Sequence, residues 1–293
     1  MGSTPARRIP YDERMIASVK TASVFVFIPI VLVMAIVVIA ILLIRAKRIR
    51  DLHAASFPDA WSEILRRNLP PYASLSIDER NSLHGCMNVM MATKHFEGCG
   101  GLELTEEIRV TICAHACMLL LNRKTRVYPK LRTILVYPST YVSGRKGLFT
   151  DETPESVRLG ESWDSGVVVL AWDSVKGGAR NFDDGHNVTM HEFAHQLDQA
   201  DGSADGAPRL EDHSCYRTWA QVLSREYKAL QDRAEKGRKS VMNDYGATDP
   251  AEFFAVATET FFEKPEKMKE EHPDLYGELR RYYRTDPLNW GAQ

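Results

Sequence analysis

The sequence predicts an α+β fold: a mostly helical domain with a small sheet, preceded by one apolar helix. Three observations support this prediction. Apolar residues recur at helical spacing over long segments, two short runs are rich in β-branched residues, and one uncharged apolar run lies near the N-terminus. Helices packed around a small sheet form the α+β class. The chain has 293 residues, 44% of them hydrophobic, which is enough to bury a sizeable core.

The N-terminal apolar run extends from Thr21 to Ile44 without a charged residue. It is slightly longer than the ~20 residues that cross the core of a bilayer. Four basic residues follow it, as in a stop-transfer segment rather than a cleaved secretory signal: Arg45, Lys47, Arg48 and Arg50. The predicted organisation is a polar tail, a transmembrane helix, a juxtamembrane linker and one soluble domain, at residues 1–20, 21–44, 45–60 and 61–293.

The basic cluster and the cysteines both indicate the side of the membrane. Four basic residues crowd the six positions after the apolar run, whereas four are spread over the tail before it. The positive-inside rule therefore favours a cytoplasmic C-terminal domain. Five cysteines, an odd number at irregular spacing, favour a reducing compartment over a disulfide framework. A net charge of −2 argues against nucleic acid as a partner, because no basic excess is present to neutralise phosphates.

The soluble domain is predicted to contain two short strands, with helices before and after them in the sequence. The predicted helices lie around Trp61–Leu65, over Ile77–Phe96 and Thr105–Leu121, and over Trp219–Ala234 and Ala251–Glu263. Ser76 and Glu79 have the spacing of a capping box, Thr105 is a suitable cap, and Pro250 suits a first helical turn. The predicted strands are Thr133–Tyr137 and Gly166–Trp172.

A candidate metal site follows the second strand. Asn187 is a suitable helix cap, and His191 and His195 follow it four residues apart. Because positions four apart share one face of a helix, both imidazoles can reach a single ion. Glu192 is displaced about 100° round the helix axis from His191, so it lies beside the face that carries the histidines. A base that takes a proton from metal-activated water is needed there. Two histidines without a ligand role are the alternative, but a capped helix soon after a buried strand favours the metal.

A catalytic zinc site needs a third protein ligand and an open fourth position. Glu252 and Glu259 lie seven residues apart in an apolar helix, hence on nearly the same face. A carboxylate in so apolar a helix needs a partner, although Glu252 also suits a first turn because of the helix dipole. The histidine pair favours metal ligation by Glu252. If Glu252 is the ligand, Glu259 is expected to accept a hydrogen bond from a histidine ring N–H.

Two further groups leave alternatives open. Asp198 shares the histidine face, so it can orient an imidazole or simply add polarity to the last turn of the helix. Cys113, His115 and Cys117 also have metal-binding side chains at helical spacing. Cysteines four apart in an apolar helix are more often small core residues, so the core interpretation is preferred there.

The chain resembles the Mlc titration factor A family of zinc peptidases, whose gluzincin-type site is similar to that of anthrax lethal factor. The resemblance covers about residues 61–293 and rests on several ordered stretches: KHFEGCGGLELTEEIRV, ILVYPSTY, GESWDSGVVVLAW, HEFAHQLDQADG, YGATDPAEFFAVATETFFEKP and LYGELRRYYRTDP. It implies a zincin-like metallopeptidase domain in which zinc is held by His191, His195 and Glu252. It also implies that Glu192 is the base and that Tyr245, seven residues before Glu252, acts on the transition state.

The expected function is therefore zinc-dependent hydrolysis of peptide bonds in a peptide or protein substrate. The strand Gly166–Trp172 can present an edge along which such a substrate adds as an extra strand. The alternative is a regulatory binding protein that sequesters a partner, because the family's partner is a glucose-responsive transcriptional repressor. The membrane span departs from the familiar members, which are soluble. We expect a single-pass protein of the bacterial inner membrane with its catalytic domain in the cytoplasm.

Overall fold

The structure is a computed structural model that describes residues 13–123, 125–139, 166–210 and 214–290. The side chains of residues 13–30 and 201 lie outside this description, as do the first twelve residues of the predicted polar tail. The chain divides into two compact units, Met1–Asp51 and Leu52–Gln293.

The N-terminal unit is dominated by a long helix, α1, which covers Glu13–His53. It includes the whole of the predicted span 21–44, but its described side chains begin at Val31. The first ten residues of that span therefore lie outside the described side chains. Among the helices that the structure describes, none combines the length and the apolar character that a membrane span needs.

The second unit is built from helices around a three-stranded sheet. Its helices are α2 Asp59–Asn68, α3 Ile77–Thr93, α4 Glu106–Met118, α5 Trp172–Arg180, α6 Val188–Asp198, α7 Cys215–Glu235, α8 Pro250–Glu263, α9 Pro265–Glu271 and α10 Pro273–Tyr283. Its strands are β1 His95–Gly98, β2 Thr133–Tyr137 and β3 Val167–Ala171. Short 3₁₀ turns cover Pro70–Ala73, Gln199–Asp201, Asp244–Ala247 and Pro287–Trp290. This mostly helical arrangement confirms the predicted α+β class.

The sheet has the order β1–β2–β3, and both pairs of strands are parallel. The two predicted strands are confirmed, because β2 has the predicted bounds and β3 lies within Gly166–Trp172. Their alternate residues, such as Val136 and Val168, are fully buried. The sheet therefore turns one face towards the core.

The helix predicted over Ile77–Phe96 is too long, and that prediction is wrong at its C-terminal end. The helix ends at Thr93, and β1 begins at His95. The N–H of His95 donates to the carbonyl of Arg132 at 2.9 Å, which starts the pairing with β2. Residues 95–98 thus pair with a distant strand instead of continuing the helix. The spacing of apolar residues along the helix cannot predict this pairing.

The predicted helix starts have the expected capping bonds. Ser76 and Glu79 form a reciprocal capping box, and the hydroxyl of Thr105 accepts from the N–H of Ile108 at 3.3 Å. Pro250 occupies the first turn of α8. Asp249, for which no cap was predicted, caps that helix. Each cap satisfies a backbone donor that would otherwise lack a helical partner.

Helix α8 positions the site, because it is buried along its length and packs mainly against α6 and the 3₁₀ turn Asp244–Ala247. Every residue from Ala251 to Glu263 is buried. Three of these residues are glutamates, at positions 252, 259 and 263. Since buried carboxylates are costly without partners, each must meet a donor or a cation.

Candidate metal centre

Helix α6 carries the two predicted histidine ligands. Asn187 caps the helix by accepting from the N–H of Met190 at 3.1 Å. One turn later, the Nε2 atoms of His191 and His195 lie 3.2 Å apart. The side chain of His195 is fully buried and that of His191 is 13% exposed. Of the two histidines, His191 is therefore the one that reaches the protein surface.

Glu252, in the first turn of α8, provides the third group. Its backbone N–H donates to the Asp249 side chain at 2.9 Å, which fixes the turn. Its Oε2 lies 2.8 Å from Nε2 of His191 and 3.5 Å from Nε2 of His195. The three potential ligand atoms all lie within 4.8 Å of one another. The structure thus brings the three predicted ligands together at one point.

The spacing of these three atoms fits a metal ion of the size of zinc. Ligands at ~2.0–2.1 Å from a tetrahedral zinc lie about 3.4 Å from each other, and the observed separations are 2.8, 3.2 and 3.5 Å. Two imidazole nitrogens and a carboxylate oxygen are also the donors that such an ion prefers.

The pKa directions agree with a site that accumulates negative charge. Burial by itself lowers the pKa of His191, but the charge of Glu259 and the hydrogen bonds to Glu252 and Glu259 hold it well above its usual value. Burial by itself raises the pKa of Glu252, but hydrogen bonds from His191 and His195 lower it to about 2. Glu252 is therefore an anion at neutral pH, as a metal ligand must be.

Glu259 stands behind His191 rather than among the three ligand atoms. Its Oε1 lies 2.7 Å from Nδ1 of His191, as predicted for an acceptor of the ring N–H. Its Oε2 accepts from the backbone N–H of Asn187 at 2.6 Å. Because Nδ1 is engaged in this way, Nε2 of His191 is the nitrogen that faces the other two ligands.

Glu192 and Tyr245 occupy positions next to the ligands. Glu192 is buried in α6 and its charge contributes to the raised pKa of His191. Tyr245 lies in the 3₁₀ turn Asp244–Ala247, and its ring centroid is 6.0 Å from that of His191. Tyr245 is 43% exposed. The exposed side of the centre is therefore the side that Tyr245 borders.

Asp198 contacts the backbone of a nearby loop. Its Oδ2 accepts from the N–H of Gly206 at 2.8 Å. Gly206 has a φ of 73°, and a Cβ there would lie 2.3 Å from the carbonyl oxygen of Pro250, so this position requires glycine. Asp198 thereby holds a loop against the start of α8, next to Glu252.

The cluster on α4 lies in the core. Cys113 and Cys117 are fully buried, and burial raises the pKa of both thiols. His115 uses both ring nitrogens, with Nε2 2.9 Å from the carbonyl of Asn68 and Nδ1 2.8 Å from the amide nitrogen of Asn187. This arrangement agrees with the preferred core interpretation of the cysteines.

The contacts of Glu263 and of the Asn187 amide nitrogen were not predicted from the sequence. Nδ2 of Asn187 donates to Oε1 of Glu263 at 3.0 Å, and the N–H of His186 donates to Oε2 at 3.0 Å. One signal was available: Glu263 follows Glu259 by four residues, so it shares its helical face. A second buried carboxylate on that face required a partner.

Taken together, the His191–His195 helix, the buried glutamate of α8 and the mostly helical α+β fold define a protein of the metallopeptidase type. The chain belongs to the family described as glucose-regulated metallo-peptidase M90, whose profile matches residues 43–284. Membership of this family implies a bound metal ion.

The chain is also similar to several individual proteins. An uncharacterized protein of Synechocystis sp. is 41% identical over 246 residues, which cover 82% of this chain and 89% of the relative. Mlc titration factor A of Pectobacterium atrosepticum is 31% identical over 228 residues, 75% of this chain and 84% of the relative. Mlc titration factor A of Yersinia pestis is 29% identical over 235 residues, 78% and 85% respectively. The family resemblance predicted from the sequence motifs is thus confirmed.

Proposed function

We propose that this chain is a zinc-dependent peptidase that hydrolyses peptide bonds. The observation that carries the proposal is the convergence of His191, His195 and Glu252, whose ligand atoms lie within 4.8 Å of one another. Two histidines and one glutamate form a three-ligand zinc site that keeps a position open for reaction. When bound, zinc supplies Lewis acidity that lowers the pKa of water to about 7 and polarises a carbonyl group.

In this proposal Glu192 and Tyr245 perform the proton chemistry. Glu192 takes the proton of the attacking water and later delivers it to the leaving amine. Tyr245 donates from its phenol to the negative charge that develops on the oxygen of the scissile carbonyl. The exposure of Tyr245 beside His191 supports this role, because a substrate can approach there.

Strand β3 is the proposed support for the substrate backbone. It ends the order β1–β2–β3, so one of its edges has no strand partner within the described part of the chain. It also packs against α6, which carries the histidines. An extended peptide can add to such an edge through main-chain hydrogen bonds.

The names of two relatives favour a second function. Both are called Mlc titration factor A, a name that refers to a partner, Mlc. A regulatory protein such as a transcriptional repressor is accordingly a candidate partner for this chain, which would act by sequestering it. One chain can have both functions. Glu192 beside the ligands favours the peptidase, because a protein that only binds a partner has no need of a base.

The peptidase proposal is tested by substrate profiling. We expect the zinc-loaded full-length protein to cleave members of a peptide library, and Glu192→Gln to lower the rate about 10²- to 10⁴-fold because the base is lost. Mass spectrometry identifies the products, and metal analysis checks that both proteins carry equal zinc. Retained turnover in zinc-loaded Glu192→Gln protein would show that Glu192 is not the base. If the variant is instead inactive but still binds a partner protein, the regulatory function is favoured.

We further propose that α1 anchors the protein in a bacterial inner membrane, with the catalytic domain in the cytoplasm. Two observations support the anchor: α1 is helical over Glu13–His53, and the side chains from Val31 to Ile44 are exposed although most are large and apolar. Apolar surface of that kind favours lipid contact. The basic residues that follow favour a cytoplasmic C-terminal side.

Membrane fractionation and protease protection test the anchor and its orientation. We expect the protein to stay bound after carbonate or high-salt washes, because an inserted apolar helix does not depend on charge. Protease added to intact spheroplasts should spare the catalytic domain until the membrane is opened. Release by carbonate would reject the anchor, whereas cleavage in intact spheroplasts would reverse the orientation.

A further inference from the structure

A chain of buried hydrogen bonds connects the metal centre to helix α4. It starts at Nδ1 of His191, which contacts Glu259, and continues from Glu259 to the backbone N–H of Asn187. From there the Asn187 amide nitrogen contacts Nδ1 of His115 at 2.8 Å, and Nε2 of His115 contacts the carbonyl of Asn68 at 2.9 Å. Glu259, Asn187 and His115 are each at most 4% exposed, so water does not compete for these bonds.

The direction of each bond follows from its partners. The carbonyl of Asn68 can only accept, so Nε2 of His115 carries the hydrogen and Nδ1 carries a lone pair. That lone pair accepts from the amide nitrogen of Asn187. Burial lowers the pKa of His115 to about 4, which keeps the ring neutral at physiological pH and preserves this pattern.

The orientation of Asn187 therefore depends on His115. With Nδ2 directed at His115 and Glu263, the Oδ1 of Asn187 faces the N–H of Met190 and caps α6. A flipped amide would place N–H donors opposite the N–H of Met190 and lose the cap. The side chain is thus held from two sides, and its own backbone N–H stays directed at Glu259.

We propose that His115 is a positioning residue for the metal centre, acting through Asn187 and Glu259 on the orientation of His191. This inference rests on the proposed function, because it concerns the ligands of the same site. Glu259 accepts the backbone N–H of Asn187 with one oxygen and faces Nδ1 of His191 with the other. A fixed Glu259 leaves Nε2 of His191 directed at Glu252 and His195. Interactions behind a ligand typically change metal affinity about 10- to 100-fold.

Zinc competition titrations with a chromophoric chelator, on the full-length protein, test the proposal. His115→Leu removes the acceptor, and we expect zinc affinity to fall about tenfold or more. His115→Asn retains an acceptor at the position of Nδ1, so we expect it to restore most of the affinity. His84→Leu is the matched control, because His84 also packs in the domain, stacked on Phe57 with ring centroids 3.8 Å apart, but lies outside this chain of bonds.

A second readout is independent of zinc. Nitrogen-15 NMR of the metal-free protein at neutral pH should show His115 as a neutral ring with its hydrogen on Nε2. A hydrogen on Nδ1, or a doubly protonated ring, would overturn the proposal. So would equal loss of zinc affinity in His115→Leu, His115→Asn and His84→Leu, which would indicate general destabilisation. Wild-type protein that binds no zinc would overturn the proposed function and the inference with it, whereas zinc binding unaffected by His115→Leu would overturn the inference alone.

Discussion

Helices α4 and α6 both carry metal-capable side chains one turn apart, but their surroundings differ. On α6, the imidazoles of His191 and His195 meet Glu252 from α8. On α4, Cys113 and Cys117 are enclosed by the core, and the sulfur of Cys117 lies 3.8 Å from that of Met90. The spacing of ligand residues along a helix is therefore similar in the two regions, while the element packed against each helix is not.

The difference shows that the neighbouring helix decides the chemistry of the pair. Burial raises the pKa of Cys113 and Cys117, so they stay thiols, whereas a metal binds the thiolate. On α6, carboxylates supply the compensating negative charge, and Glu252 and Glu259 both contact His191. A cation is stabilised where buried carboxylates converge and not where apolar side chains do.

The largest expected effect is on zinc content. If it is not observed, the contrast drawn between α4 and α6 is wrong. His191→Ala or His195→Ala should lose most of the about one zinc per chain, because two ligands rarely hold the ion tightly. Cys113→Ser and Cys117→Ser should keep it. Elemental analysis of the purified full-length variants gives the counts. Full zinc in both histidine variants would show that the site is not on α6. Loss of zinc from the serine variants would show that α4 contributes to it.

A smaller effect separates the two glutamates that contact His191. Glu252→Ala should abolish tight zinc binding, because its oxygen is one of the three converging atoms. Glu259→Ala should weaken binding about 10- to 100-fold, because it only orients the ring. Glu278→Ala is the control, since that buried glutamate pairs with Arg281 in α10. Zinc titrations with the opposite ranking would transfer the ligand role to Glu259.

Local sequence patterns predicted much of this architecture. The caps at Ser76, Thr105 and Asn187 depend on residues at most three positions away. Strands β2 and β3 were predictable because their own residues are rich in β-branched side chains. The approach of Glu252 to the histidines follows from family motifs together with the need of a buried carboxylate for a partner.

The features that sequence reasoning missed depend on distant contacts. Strand β1 forms because it pairs with β2, from which it is separated by α4. The Asn187 amide meets His115 72 residues away and Glu263 76 residues away. The pattern of residues within one helix cannot predict such partners, because the packing of α4, α6 and α8 against one another determines them.

A third expected effect is on the pH dependence of stability and concerns Glu263, which lies between the two regions compared above. Its Oε1 accepts from the same Asn187 amide that contacts His115 of α4. Burial raises the pKa of Glu263 to about 8, with the charges of Asp184 and Glu259 adding to the effect and hydrogen bonds from Asn187 and Gly185 opposing it. The folded protein therefore keeps a proton on Glu263 at pH values where the unfolded chain, with an ordinary pKa of 4.5, has lost it.

The sign of the pH dependence follows from this difference. The contribution of Glu263 to stability is fully present below pH 4.5 and is lost as the pH rises to about 8, with a slope of up to about 1.4 kcal/mol per pH unit. Glu263→Gln stays neutral at every pH, so its free energy of unfolding should fall less than that of the wild type between pH 5 and pH 8. Urea denaturation of the metal-free proteins across that range measures both slopes. Parallel slopes would show that Glu263 is ionised in the folded state, and that the hydrogen bonds it accepts outweigh its burial.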